Sequence, residues 1–235
     1  MATTKQSRST KTSSESTVVE RVESTPAVDV RAVLFTVAGG HLLVALEESN
    51  RITSLPRAIP LANEPLDASA RRAIRESTGL YEQYLEQLYT LSFRDIEGWS
   101  VIVGYIGLIC SGPQTHQLTK AAWHDARALP TLGVADSNVI EYALLRLRAK
   151  LGYTNIAFHL LPPTFTLTEL QNAYESILGR RLDKRNFRRR AIASGILQNT
   201  SEQRREGSHR PAALYRFRAE HDPADYLTPA WGDEA

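Results

Sequence analysis

The segment from Arg180 to Arg218 is where side-chain chemistry concentrates. It carries 12 Lys and Arg against 3 acidic residues, whereas the whole chain has 28 Lys+Arg and 26 Asp+Glu. The positive charge therefore sits at one end, and everything outside this segment is net acidic. Such a distribution points to a polyanion-facing end. Arg outnumbers Lys here, which favours forked contacts to phosphate or guanine. A helix bearing Lys184, Arg185, Arg188, Arg189 and Arg190 repels itself unless phosphate relieves it. The competing reading is a solvated helix face.

The elements that position these cations follow from the flanking residues. Thr168 offers a capping hydroxyl and Glu169 an acid in the first turn of a helix. Leu170, Tyr174, Ile177 and Leu178 recur at helical spacing, and Gly179 supplies the stop. Asp183 can cap a second helix, of which Phe187, Ala191 and Ile192 are expected to face inward. A tight turn between two helices, the second carrying cations and Asn186, is the pattern of a helix-turn-helix. Beyond it, Ile196 and Leu197 can start one strand, and Leu214, Tyr215 and Phe217 a second with alternating faces. Between them lies a basic tip with Arg204, Arg205 and Arg210, which makes a winged helix. Thr168, Lys184, Arg185, Asn186, Arg188 and Arg189 are expected to contact double-stranded DNA, with Arg204, Arg205 and Arg210 supporting from the wing.

At 235 residues and 42% hydrophobic content, the chain can supply one or two packed cores. No apolar run is long enough to span a bilayer, and the first 30 residues lack the apolar core of a signal peptide. These features predict a soluble, cytoplasmic protein with no membrane partner. The single cysteine, Cys110, excludes an intrachain disulfide and is expected to be buried. No structural zinc site and no cofactor are expected.

Residues 1–26 are too polar to offset the entropy of ordering and are expected to be a disordered tail. Lys5, Arg8 and Lys11 give this tail a weak DNA-contacting alternative. Val28 to Val37 reads as a strand, Gly39-Gly40 as a hairpin turn and Leu42 to Leu46 as the return strand. Glu47 to Pro65 is loop-rich. Leu66 to Thr78 is a helix ended by Gly79. Leu85 to Phe93, Trp99 to Cys110 and Ala121 to Asp125 are strands. Asn138 to Leu151 is a helix ending at Gly152, and Pro162-Pro163 forms a rigid, hinge-like entry to the winged helix. The expected division is a mixed α/β domain over 27–153, the winged helix over 154–220 and a tail over 221–235.

Within the first domain, Ala58 to Leu80 resembles a degenerate Nudix box, G-x5-E-x7-R-E-U-x-E-E-x-G-U with U apolar. Ala58 takes the place of the leading Gly. Glu64, Arg72, Ile74, Glu76 and Gly79-Leu80 match, while Ala73 and Ser77 stand where two of the helix carboxylates belong. Nudix hydrolases split diphosphates with divalent metals held on those carboxylates, and Mg²⁺ needs hard oxygen ligands close together. The resemblance therefore implies a Nudix-like fold without a catalytic metal cluster. Glu64, Arg72 and Glu76 equally read as an ion-pair set holding the loop before the helix. The Pro-Gly-Gly usual before the box is Pro56-Arg57-Ala58 here. The Asp-His pair often found before the long helix is Asp136-Ser137.

Both halves together resemble the Nudix-related transcriptional regulators of the NrtR type. The similarity lies in Phe158-His-Leu-Leu-Pro-Pro, Phe165-Thr-Leu-Thr-Glu-Leu-Gln, Tyr174-Glu-Ser-Ile-Leu-Gly-Arg, Leu182-Asp-Lys-Arg-Asn-Phe-Arg-Arg and Arg210-Pro-Ala-Ala-Leu-Tyr-Arg-Phe. Tyr84-Leu-Glu-Gln-Leu-Tyr-Thr90 and Gly98-Trp99 add to it. The resemblance implies an α+β chain: a Nudix-like α/β/α sandwich followed by a winged helix-turn-helix. It further implies a homodimeric bacterial repressor of NAD biosynthesis or salvage genes on a palindromic operator, released by ADP-ribose or a related nucleotide. Arg31, Arg57, Glu64, Arg72, Glu76, Arg94 and Tyr105 are the expected ligand-binding residues. An active Nudix hydrolase with a DNA-binding tail, or a regulator sensing a sugar, are the alternatives.

Overall fold

The computed structural model describes residues 26–49, 52–95, 98–205 and 211–218. The two expected tails, apart from Pro26, and Arg210, expected at the wing tip, lie outside the described residues.

The first half is built on one mixed sheet with the order β3-β2-β1-β6-β5. Strand β1 (Ala27–Ala38) turns at Gly39 and Gly40, both at positive φ, into β2 (His41–Ser49). The short strands β3 (Ile52–Ser54) and β4 (Arg57–Ala58) interrupt the segment expected to be loop. Strands β5 (Tyr84–Asp95) and β6 (Gly98–Leu108) form a long antiparallel pair, and β6 runs parallel to β1. Strand β7 (Ala121–Asp125) pairs with β2, and β4 with β1.

Alternation along the strands assigns the two faces. Val30, Ala32 and Leu34 join Val103 and Tyr105 in a core covered by helix α1 (Leu66–Thr78). Val33 and Phe35 join Ile102 and Ile106 on the other face, covered by helix α2 (Val134–Leu151). This is an α/β/α sandwich. Helix α2 begins at Val134, four residues before the expected start. Its apolar periodicity becomes visible only from Val139 onward, but Ala135 is already buried and Asp136 sits in the first turn, where an acid complements the helix dipole.

The C-terminal half comprises α3 (Leu167–Leu178), α4 (Lys184–Ala193) and the hairpin β8 (Leu197–Arg204) with β9 (Ala212–Phe217). Phe165 exchanges both backbone bonds with Tyr215 (2.9 and 2.8 Å), an isolated bridge that ties the chain before α3 to the wing. The N-cap of α3 is Thr166, not Thr168. Thr166 Oγ1 accepts from the Glu169 amide (3.1 Å) and the Glu169 carboxylate accepts from the Thr166 amide (2.7 Å), a reciprocal capping box that Thr168 is placed too late to make. Thr166→Ala is accordingly expected to lower stability by about 1 kcal/mol in denaturant unfolding, and Thr168→Ala by clearly less. Equal losses at the two positions would contradict this assignment. Gly179 ends α3 in the left-handed region (φ 71°).

The stretch leading into Pro162-Pro163 is packed, with Leu160 and Leu161 buried. A short 3₁₀ turn, Ile156–Leu160, follows α2, and its Ile156, Ala157 and Leu160 are buried. They belong to one core that runs from Phe35 and Leu147 of the sandwich to Phe165, Tyr174 and Phe187 of the winged helix. Ile192, expected to face inward, is 56% exposed. Phe187 and Ala191, four residues apart, share the buried side of α4, and the residue after Ala191 is rotated by about 100° away from it.

Candidate functional site

The cationic face of α4 is set up locally. Asp183 Oδ1 accepts the Asn186 amide at 2.8 Å and caps the helix. The turn before it is pinned by Glu175, whose Oε1 accepts from the Leu182 amide (2.9 Å) and the Gln171 side chain (2.8 Å), while Oε2 holds Arg181 at 3.1 Å. Burial pushes the Glu175 carboxyl up, but these donors outweigh it and keep the group below the usual carboxylate range. With Phe187 fully buried, Lys184, Arg185 and Arg189 are left exposed on α4. Arg189 donates to Asn186 Oδ1 at 2.6 Å, which pairs two base-reading side chain types on the solvent face. Arg188 is half-buried and donates to Thr168 Oγ1 at 3.0 Å, fixing its head between α4 and the first turn of α3.

The wing residues divide. Arg204 bonds Glu169 Oε2 at 2.5 Å, so its side chain ties β8 to the N-terminus of α3. The sequence marks Arg204 as a cation but hides a partner 35 residues away. Arg205 is exposed, and Arg210 lies outside the described residues.

The expected ligand residues fall into groups: Arg31 and Arg57 are neighbours on Asp29, Glu64, Arg72 and Glu76 are linked by ion pairs, and Arg94 and Tyr105 are in neither ion-pair network. Arg31 donates to Asp29 through Nε and Nη2 (3.0 and 2.9 Å) and to Asp136 through Nη1 (2.8 Å). Its side chain is only 12% exposed. Arg57, next to it across the β1–β4 pair, lies 3.4 Å from the same Asp29 and is half exposed. These four residues form an ion network on the α2 face. Burial raises the Asp136 carboxyl, and Arg31 opposes that shift. Tyr105 is buried on the opposite, α1 face, where its hydroxyl donates to Gln87 at 3.3 Å. Arg94 stacks over Trp99 (5.7 Å) near the β5–β6 turn. Asp29 was missed as a partner. The spacing of Asp29 and Arg31, two residues apart in a strand and hence on one face, was the available signal.

Glu64 and Arg72 form a doubly bonded ion pair (2.8 and 2.7 Å). Glu64 also accepts from the Leu61 amide (3.0 Å) and Ser69 (2.9 Å), and Arg72 donates to the Ile59 carbonyl (2.9 Å). Bonding to Arg72 first, then to Leu61 and Ser69, pulls the Glu64 carboxyl down to about 2. Glu76 lies 3.9 Å from Arg72 and is largely exposed. Ala73 is packed in the core, and Ser77 donates to Glu47. Among the described residues no group of three His, Cys, Asp or Glu is placed to hold a metal ion. The residues present do not fit the divalent metal of Nudix hydrolases: of the three helix positions for its ligands, Ala73 and Ser77 lack a carboxylate and Glu76 alone keeps one.

This pair makes an acid-sensitive lock on residues 59–65. A carboxyl depressed from 4.5 to about 2 contributes stability above pH 4.5 that fades as pH falls toward 2. Arg72→Ala is expected to raise the Glu64 carboxyl toward the ordinary range, with the Leu61 and Ser69 bonds still holding it somewhat below, read from its side-chain carbon shift in an NMR titration. A midpoint still near 2 in the variant would show that Arg72 is not the cause.

The architecture defines a Nudix-like sandwich fused to a winged helix. A family model described as the NrtR DNA-binding winged helix domain matches residues 157–217. A protein of Acinetobacter baylyi, called ADPR responsive transcriptional repressor NtrR, is 37% identical over 206 residues, covering 82% of each chain. The structure of Shewanella oneidensis NrtR complexed with a 27mer DNA is 31% identical, covers 85% of this chain and 96% of its own, and superposes with a TM-score of 0.72. A MutT/nudix family protein from Enterococcus faecalis, 22% identical with a TM-score of 0.66, shares the fold. The chain belongs to the NrtR family. No helix among the described residues is long and apolar enough to cross a membrane.

Proposed function

We propose that this protein is a DNA-binding transcriptional repressor whose Nudix-like domain senses ADP-ribose or a related nucleotide and thereby releases the operator. The observation that carries the reading is α4: a capped helix anchored by a fully buried Phe187, with Lys184, Arg185 and Arg189 directed to solvent. Support comes from the A. baylyi relative, named for its response to ADPR, and from the S. oneidensis relative, seen with DNA. Two recognition helices of a homodimer would address a palindromic operator. Genes of NAD biosynthesis or salvage are the proposed targets. The protein is a regulator and not a hydrolase, because Ala73 and Ser77 stand where two of the three helix metal ligands belong. In the sensing domain, the half-exposed Arg57 beside Asp29 is a proposed ligand contact, whereas Arg31 acts by bracing Asp29 and Asp136.

Fluorescence anisotropy on the chain's own upstream region and on NAD-gene promoters, with ADP-ribose titrated in, tests this. Specific binding reversed by ADP-ribose is the expected result. By linkage, operator DNA must weaken ADP-ribose binding by the same factor. Tight ADP-ribose binding indifferent to DNA would remove the coupling, and release of AMP from ADP-ribose with Mg²⁺ at ordinary turnover would establish the hydrolase instead.

A further inference from the structure

A cleft of about 340 Å³ lies where the sandwich meets the winged helix. The Gly39-Gly40 turn forms one side, His41 and Arg127 extend it, and Arg180 and Arg181 of the α3–α4 turn face them. The sandwich and the winged helix thus each contribute cations to one concave surface. Among the described residues lining it, Glu175 is the one carboxylate, and both of its oxygens are occupied by Gln171, the Leu182 amide and Arg181. Asp125 lies 2.6 Å from His41 Nδ1 and 3.2 Å from Arg127, and Arg127 Nη2 lies 2.5 Å from His41 Nδ1, which links these side chains to one another. Asp125 takes the Nε and Nη2 edge of Arg127 and Glu175 takes Nη1 of Arg181, so the N–H donors left over on these fixed guanidinium groups are the ones that can meet phosphate oxygens.

We propose that this cleft is a phosphate-binding subsite spanning the two halves of the molecule. Its position selects two sources of one chemistry. The α3–α4 turn leads into the N-terminal end of α4, the end that approaches DNA in helix-turn-helix proteins, so a backbone phosphate can reach it. A free di- or oligophosphate can enter from solvent. The first source extends the DNA footprint onto the sensing domain. The second places an anion at the joint across which the sensor and the winged helix must communicate. The DNA source rests on the repressor reading above; the free-phosphate source does not.

Arg127→Gln is the decisive variant, because Arg127 lies on the sandwich and outside the helix-turn-helix. Arg180→Gln, on the exposed turn, is the second. Operator affinity is measured in the full-length chain across a salt series, and pyrophosphate is titrated without DNA while the melting temperature is followed. A backbone contact lowers the salt slope by about one in Arg127→Gln. A free-phosphate site shows as a pyrophosphate-induced rise in melting temperature that both variants lose. Either result supports the subsite and names its source. Slopes and pyrophosphate responses equal to wild type in both variants would overturn it. If the wild-type chain binds no operator, the repressor reading falls, and the pyrophosphate titration alone decides the cleft.

Discussion

Arg189→Ala is expected to weaken operator binding by about 1–3 kcal/mol and to relax preference at one base pair, while Arg188→Ala weakens all sequences alike and lowers the salt slope by about one. The two arginines are neighbours in sequence, and their surroundings separate them. Arg189 is exposed and bonded to Asn186 at 2.6 Å, so both can turn toward base edges together. Arg188 is half-buried, with its head on Thr168 Oγ1 at 3.0 Å. That places it beside the N-terminal turn of α3, where free amides and the helix dipole favour a phosphate. Arg188 is therefore expected to clamp the DNA backbone from between the two helices. Anisotropy with the operator, a single-base-pair variant and unrelated duplex, each over a salt series, separates the roles. A specificity change in Arg188→Ala with none in Arg189→Ala would reverse the assignment.

Local signals in the sequence mark much of this arrangement. Helix α1 runs over the residues its pattern predicts, Leu66 to Thr78, because Gly79 supplies the left-handed stop. Asp183 and Gly179 mark α4 and the turn before it in the same way. What depends on register or on distant pairing was not legible. Arg31 pairs in register with Gly104, which puts Tyr105 beside Ala32 and on the opposite face of the sheet. Two polar residues that looked like one pocket are separated by the sheet itself. The capture of Arg31 by Asp136 spans 105 positions, and that of Arg204 by Glu169 spans 35. Composition records the cations, and only the fold shows which of them are already engaged.

The continuity of the core makes a prediction of its own. Phe187→Ala is expected to cost about 3–5 kcal/mol, the usual range for removing a buried ring and leaving a cavity. Phe187 has no exposed surface and packs edge-on against Tyr174, with ring centroids 5.4 Å apart. Tyr174 belongs to the same core as Ile177, Leu160, Leu147 and Phe35, so the loss is transmitted into the sandwich instead of melting α4 alone. Trp123 reports on the sandwich, since it sits on β7 and its indole donates to the Thr115 carbonyl at 2.7 Å. In a background with Trp99 and Trp231 changed to Phe, denaturant midpoints from Trp123 fluorescence and from helix signal should move down together. A Trp123 midpoint left at the wild-type value while helix signal is lost early would mean that the two halves unfold independently. The winged helix would then be a separable module, and ligand events in the sandwich could not reach α4 through packed side chains.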